Sequence, residues 1–557
     1  MKKTTTPLVA KRIAIAVAAV CTSLSLPVAA NDNKALLDLM LKKGVITQKD
    51  YDEFLDANKE ADENKAFKES RIDKDVSASI KDIQKRQNDG SVKENGFGFK
   101  SKDGNSELNI TGRLHFDARM LDGDWGNYSD RDSASLADRF SVRRARIGAT
   151  GVFNKNINYE IVTNLVGSNA NLLDTAWANY TPKPEAQIRV GRFKQPYGLE
   201  TLQSSNNIDF MERSYQDQIS PGKQLGAMFH GEQPNSLTYA TSVYQTGFDP
   251  LSSSGGLEFG ARATFNFAKA MQNAGDDFLF HIGLAATAGR SQVVPTTSSQ
   301  SGSATDTKGT FISFNDEFGG LRNVYRNRIF GTSPCVSGGV NVSCTDKQIS
   351  APASDASDVK QSRGGVELAL AKGPLKFQAE YTHLNLTATG KSAASGSPGT
   401  LYDVRSDGNA KVYYLELMYN LTGEPWAPTY RSGVVGAIRP TSPFDFSGMS
   451  GTGAWQLGLR YSAYDTSSFG NNTSASGGST TGTYAGKSAY EIEGSPKGST
   501  TTLGLNWILN PNARIMMNYA QSVFDYSFKP VDIGSSAVAA TRGKNSQAFM
   551  IRSQFNF

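Results

Sequence analysis

Apolar and polar residues alternate along most of the chain beyond residue 96. The segment NSQAFMIRSQFNF sets Phe549, Ile551, Phe555 and Phe557 at one parity, and Met550, Arg552, Gln554 and Asn556 at the other. Period two marks an extended strand, whose successive side chains point to opposite faces. A strand that is apolar on one side, polar on the other and closed by an aromatic residue suits a transmembrane barrel, where lipid and lumen alternate. Comparable segments, bounded by Gly, Pro, Asn and Asp, lie at 107–118, 138–153, 156–166, 171–181, 186–193, 224–232, 236–245 and 256–267. Others follow at 278–288, 361–370, 374–388, 411–421, 453–464, 500–509, 512–524 and 544–557. The pattern predicts an all-β fold, a 16-stranded antiparallel transmembrane β-barrel.

The connections agree. Those after even strands are short, among them Asn154-Lys155, PKPE at 182–185, QPN at 233–235 and Asn510-Pro511, whereas those after odd strands run as long as 289–360. One even connection, 422–452, is long; it either folds into the barrel or hides a strand pair. Parity sends Trp455, Leu457, Leu459 and Tyr461 to lipid and Gln456, Arg460 and Ser462 to the lumen. Likewise Tyr413, Leu415, Leu417 and Tyr419 face out while Glu416 and Asn420 face in. The lumen is therefore expected to be polar and to hold water rather than a dry core.

Upstream the period changes. Residues 1–30 carry Lys2, Lys3, Lys11 and Arg12, then an apolar stretch from Ile13 to Val20 and a small-residue site at Val28-Ala29-Ala30. This reads as a signal peptide cut after Ala30, since the stretch is shorter than the roughly 20 residues a spanning helix needs. Residues 31–95 form a helical segment, with short amphipathic helices at 36–43 and 47–58, Thr47 as N-cap and Gly44 as a stop. Ile72, Val76, Ile80 and Ile83 make a short coiled-coil seam that allows a trimer; the alternative is a lone solvated helix. The barrel domain spans 96–557, and export places it in a bacterial outer membrane.

Hydrophobic residues make up only 38% of the chain, so any spanning structure beyond residue 30 has to be a closed sheet. Without residues 1–30 the formal charge is +1, so anion preference has to come from where charges sit, and no nucleic-acid partner is expected. Cys335 and Cys344, close together in a Gly/Ser-rich segment, are expected to form a disulfide that pins a loop, with no metal site and no cofactor.

Catalysis would need a nucleophile beside a histidine or a metal motif. The four histidines, His115, His230, His281 and His383, sit in no nucleophile motif, and no nucleotide, zinc or calcium motif occurs. The arginines carry more. In DRFSVRRARIGATGVF, Ala145, Ile147, Ala149 and Phe153 define the lipid face and turn Arg144 and Arg146 inward, as neighbouring parities do for Arg113 and Arg189. Arg143 is aimed at lipid unless a bulge intervenes. Loop 194–223 adds Arg213, and loop 289–360 adds Arg322, Arg326 and Arg328. A row of guanidiniums, always charged and presenting a fixed fork of N–H donors, suits tetrahedral oxyanions.

Taken together, FSVRRARIGATGVFNKNINYEI, DTAWANYTP, IRVGRFKQPYGLE, FMERS, YNLTGEP, GAWQLGLRYSAYD and TLGLNWILNPNARIMMNYA resemble the phosphate-selective porins O and P. The resemblance implies a sixteen-stranded trimeric channel for phosphate or other small anions, with the third and fifth extracellular loops and the seventh periplasmic turn folded into the lumen. Matched motif by motif, it implies a central anion site of Asp174, Arg189 and Arg213, and an arginine ladder of Arg113, Arg143, Arg144 and, as further rungs, Arg322, Arg326 and Arg328. One position departs: where the family's phosphate porin has a constriction lysine after GLE, this chain has Thr201. The expected function is passive diffusion of anions, phosphate or related oxyanions. A broader or different-substrate porin is the alternative, and a barrel hydrolase the distant one.

Overall fold

A computed structural model describes residues 42, 48, 97–123, 138–166, 172–233, 236–246, 256–271, 275–293, 296–298, 306–318, 324–331, 336–337, 340–341, 357–393, 401–470, 473–475, 490–525 and 545–557. The chain divides into Met1–Ser91 and Val92–Phe557. The expected signal segment, helices and coiled-coil seam, together with Arg322, Cys335 and Cys344, lie outside the described residues; of the first unit only Lys42 and Gln48 are described, both helical.

Sixteen strands form the barrel wall: β1 (Glu107–Gly123), β2 (Arg139–Phe153), β3 (Ile157–Asn164), β4 (Leu173–Lys183), β5 (Ala186–Lys194), β6 (Lys223–Glu232), β7 (Leu237–Thr246) and β8 (Gly256–Asn266). They continue as β9 (Phe278–Val293), β10 (Ser357–Lys372), β11 (Leu375–Ala393), β12 (Leu401–Asn420), β13 (Ala454–Asp465), β14 (Lys497–Asn510), β15 (Ala513–Asp525) and β16 (Asn545–Asn556). Each pairs antiparallel with its sequence neighbours, and β16 pairs with β1 from Arg113↔Asn556 to Gly123↔Ser546, which closes the sheet. Every predicted strand lies in one of these, most within a few residues; β12 begins ten residues earlier than its pattern showed, at Leu401.

Closure removes the unpaired edge that lipid would not tolerate. Its last stitch is the C-terminus, where Gly112 N–H donates to the Phe557 carbonyl at 2.9 Å and Phe557 N–H returns the bond at 3.1 Å. A Cβ on Gly112 would fall 2.1 Å from the Phe557 ring, so only glycine lets that ring lie over β1.

Outward parity is as expected: Leu415, Leu417, Leu457, Leu459, Tyr461, Phe549 and Phe555 are exposed, while Glu416, Asn420, Gln456, Arg460 and Arg552 are buried. The lumen is polar in part, as expected, but apolar clusters fill some of it. Inward segments cover the apolar residues that also face in along β9–β15: Tyr215, Phe314 and Tyr325 pack with Val412 and Tyr464, and Leu199, Phe210, Trp426 and Ile438 pack with Leu279 and Met418. Periodicity could not show this, because a loop becomes an inner wall only by folding back. Segment 195–222, between β5 and β6, and the stretch 314–318, between β9 and β10, are two such covers.

The long connection 421–453 is the third, which resolves its anomaly by folding inward: its one short strand pair is a separate hairpin and no part of the wall. A Tyr430–Arg431/Val434–Val435 hairpin enters the lumen, where Tyr430 Oη meets His281 Nδ1 at 2.7 Å and the Gly433 carbonyl accepts from Arg262 Nη2 at 2.8 Å. Ser432 and Gly433 make its turn at φ 48 and 75, the left-handed pair of a two-residue hairpin. A Cβ at Gly433 would meet Thr238 Oγ1 at 2.8 Å and Thr264 Oγ1 at 2.9 Å. Gly433→Ala is therefore expected to loosen this turn by about 1–3 kcal/mol, seen as faster proteolysis within 421–453; wild-type resistance would contradict the docking.

Candidate functional site

The site is built on one face of β2. Pairing with β1 shifts between His115↔Arg144 and Phe116↔Val142, which leaves Arg143 as the extra residue of a bulge. The bulge turns a side chain that simple parity aims at lipid into the lumen. Arg139, Arg143, Arg144 and Arg146 of β2 then line one cavity of about 640 Å³, with Arg119 from β1 and Arg213 from segment 195–222. Arg144 is 8% exposed, and among the described residues its Nη1 has no hydrogen-bond partner.

The cavity floor is a knot around Glu212. Arg143 Nε and Nη2 donate to its two oxygens at 2.9 and 3.0 Å, and Arg552 Nη2 and Arg119 Nη2 share Oε1. Arg552 also grips Asp117 at 2.7 and 2.8 Å. Glu212 belongs to segment 195–222 and to no spanning strand. Burial alone would raise its carboxyl, but Arg143, Arg119 and Arg552 outweigh that and hold it well below the ordinary value. Two more wall residues fasten the same segment. The Glu380 carboxylate accepts from the N–H groups of Leu199 and Glu200 at 2.8 and 2.7 Å, and Arg460 binds Glu200 and Glu317 at 3.0 Å each.

A second bulge places Asp174. Pairing of β3 with β4 slips between Val162↔Thr175 and Thr163↔Leu173, so Asp174 is the extra residue and reaches Arg146 Nη2 at 2.9 Å and Lys223 Nζ. Arg213 donates to the carbonyls of Glu200 and Gln203 at 3.1 and 2.8 Å, with Asp217 at 3.7 Å, and Arg113 donates to Ser205 Oγ at 2.7 Å. The result is a water-accessible chamber lined by six arginines and four carboxylates, of which Glu212, Asp217 and Glu317 are paired with arginines and Asp316 accepts from Ser522 and Ser546.

The profile of the phosphate-selective porin O and P family matches residues 108–293 and 336–557, nearly the whole described barrel. The chain belongs to that family. This porin is 25% identical to Porin O of Pseudomonas aeruginosa over 430 residues, which cover 75% of this chain and 83% of the relative. Among solved structures, an anion-selective porin from Comamonas acidovorans aligns with TM-score 0.38 and 11% identity over 81% of this chain and all of that one. OmpT, an outer membrane protein of Vibrio cholerae, aligns with TM-score 0.42 and 10% identity over 84% of this chain and all of that one. The family and the closed barrel make this porin an outer-membrane channel.

Of the residues expected in the site, the porin brings Arg143, Arg144, Arg146 and Arg213 to one cavity, with Asp174 joined to it through Arg146. Arg189 points inward but lies 4.2 Å over the Trp177 ring and does not line that cavity. Thr201 is buried in the short helix Leu199–Leu202, where among the described residues its hydroxyl has no partner. Arg326 and Arg328 lie on a strand, Tyr325–Gly331, whose register sets them opposite Glu493 and Glu491. The histidine rings meet Asn206, Asn179, Tyr430 and Asn385. Arg119, Arg139, Glu212 and Lys223 were not singled out from sequence. Arg119 shares the parity of Arg113, a usable signal, and Glu212 adjoins Arg213.

Proposed function

We propose that this porin passes small anions, phosphate or related oxyanions, by passive diffusion along the arginine chamber. The supporting observation is the set of six arginines on one 640 Å³ cavity, two of them, Arg119 and Arg144, buried with an N–H that has no hydrogen-bond partner among the described residues. An oxyanion entering the chamber exchanges water for guanidinium N–H donors at several points in series, each moderate enough to release it. Glu212, Asp217, Asp316 and Glu317 on its wall, with Asp174 behind Arg146, limit the net positive charge, so that anions are drawn in without being trapped. The proposal includes export by cleavage after Ala30 and assembly as a homotrimer, open to N-terminal sequencing and to sedimentation in detergent.

The test is titration of inorganic phosphate onto single channels carrying chloride current: block at low phosphate concentration supports the reading, and unchanged current up to high concentration refutes it. A broader-substrate porin is the second reading, favoured by Thr201 and by the carboxylate of Asp217 on the chamber wall. Thr201→Lys separates the two. It adds an ammonium to the inward segment and is expected to lower the half-blocking phosphate concentration several-fold; an unchanged value favours the broader channel.

A further inference from the structure

The chamber is not the whole path. The chamber wall reaches toward the loop end at Arg119 and Arg139, a cross-strand pair, whereas Arg514 lies on β15, where it pairs with Gln554 of β16. The stretch Ser204–Asn207 is fastened to β1 and β16. Arg113 donates to Ser205 Oγ at 2.7 Å, His115 Nε2 meets Asn206 Oδ1 at 3.2 Å, and Gln554 Nε2 donates to the Asn206 carbonyl at 3.1 Å. Beyond it, at the end of the barrel where β1 starts and β16 stops, lies a separate cavity of about 340 Å³.

That cavity has the chemistry of an anion site. Arg514 lines it and is 7% exposed; its Nη2 donates to the neutral amide oxygen of Gln554 at 3.2 Å, and among the described residues its Nε has no hydrogen-bond partner. The carboxylate on the same wall, Asp209, is engaged by Lys376 Nζ, which also holds Glu416 at 3.0 Å. Arg439, exposed on the inserted connection 421–453, and the amides of Asn206 and Asn510 complete the polar wall. A buried guanidinium lining a polar cavity, with the neighbouring carboxylate of Asp209 held by a lysine, retains donor capacity that an oxyanion can use. Water fills about 30 Å³ per molecule in the liquid, so there is room for a tetrahedral oxyanion and several waters.

We propose that this cavity is a second oxyanion station, centred on Arg514, where an ion that has passed Ser204–Asn207 is held before it leaves. The inference rests on the oxyanion reading of the channel and adds a site to it. Two stations on either side of a barrier allow the first ion to be displaced by the next, which a single deep site does not.

The experiment compares block of chloride current by inorganic phosphate added from the loop end and from the terminal end of oriented channels. Arg514→Gln is expected to raise the terminal-end half-blocking concentration about tenfold relative to the loop-end value. Arg439→Gln, at an exposed position, is expected to shift the same ratio in the same direction by about threefold, and keeps the test readable if Arg514→Gln fails to fold. An unchanged ratio in the folded variants, while wild-type channels are blocked by phosphate, overturns the second station and leaves the proposed function standing. No phosphate block of the wild type from either end overturns both.

Discussion

Arg144→Gln/Arg146→Gln channels are expected to lose most of their anion preference while the barrel stays folded. Both side chains line the chamber, and each has an N–H without a hydrogen-bond partner among the described residues, Arg144 at Nη1 and Arg146 at Nε. A unit charge about 8 Å from a passing ion is worth about 2 kcal/mol at an effective dielectric near 20, and physiological salt screens over a similar distance. Two lost cations therefore cost roughly 2 kcal/mol of differential entry free energy, about tenfold or more in the anion-to-cation permeability ratio. Asp174 keeps Lys223 when Arg146 is removed, so no carboxylate is stranded. Measured in a salt gradient, the reversal potential should move most of the way toward zero; a potential within a few millivolts of wild type would mean that the chamber does not set selectivity.

Glu212→Ala should produce the largest loss of stability. Arg119, Arg143 and Arg552 all converge on this carboxylate, and Arg119 and Arg552 have almost no exposure. Removing one partner of a buried ion pair typically costs about 3–5 kcal/mol, because the charges left behind are neither solvated nor paired. Here Asp117 still binds Arg119 and Arg552, which places the loss toward the lower end of that range. Segment 195–222 should then part from the wall, giving an earlier thermal transition and noisier, larger single-channel currents. Arg143→Ala is the control: its side chain is 42% exposed, and an exposed pair is worth only about 0–1 kcal/mol. Equal thermal shifts in the two variants would contradict the knot as described.

The wall of the barrel was legible because lipid enforces its own punctuation, an apolar residue at every second position on strands of about ten residues. Connection 422–452 was legible as an anomaly for the same reason: its length broke the rule that set the others. Arg143 and Asp174 show where legibility ends. Each is the extra residue of a bulge, and a bulge exists only relative to the partner strand, so neither could be placed from its own strand. Glu212 lies on an irregular inward segment that has no period to read, although it organises three arginines that were visible as basic residues. The apolar filling of the lumen was hidden in the same way, since Phe210, Tyr215 and Phe314 become core only when their loops turn back.

The central claim, that the β2 arginines make this channel anion-preferring, is tested most directly by the reversal potential of the purified protein in a planar bilayer across a potassium chloride gradient. The account predicts a potential close to the chloride equilibrium value. A potential near zero or close to the potassium value would contradict it.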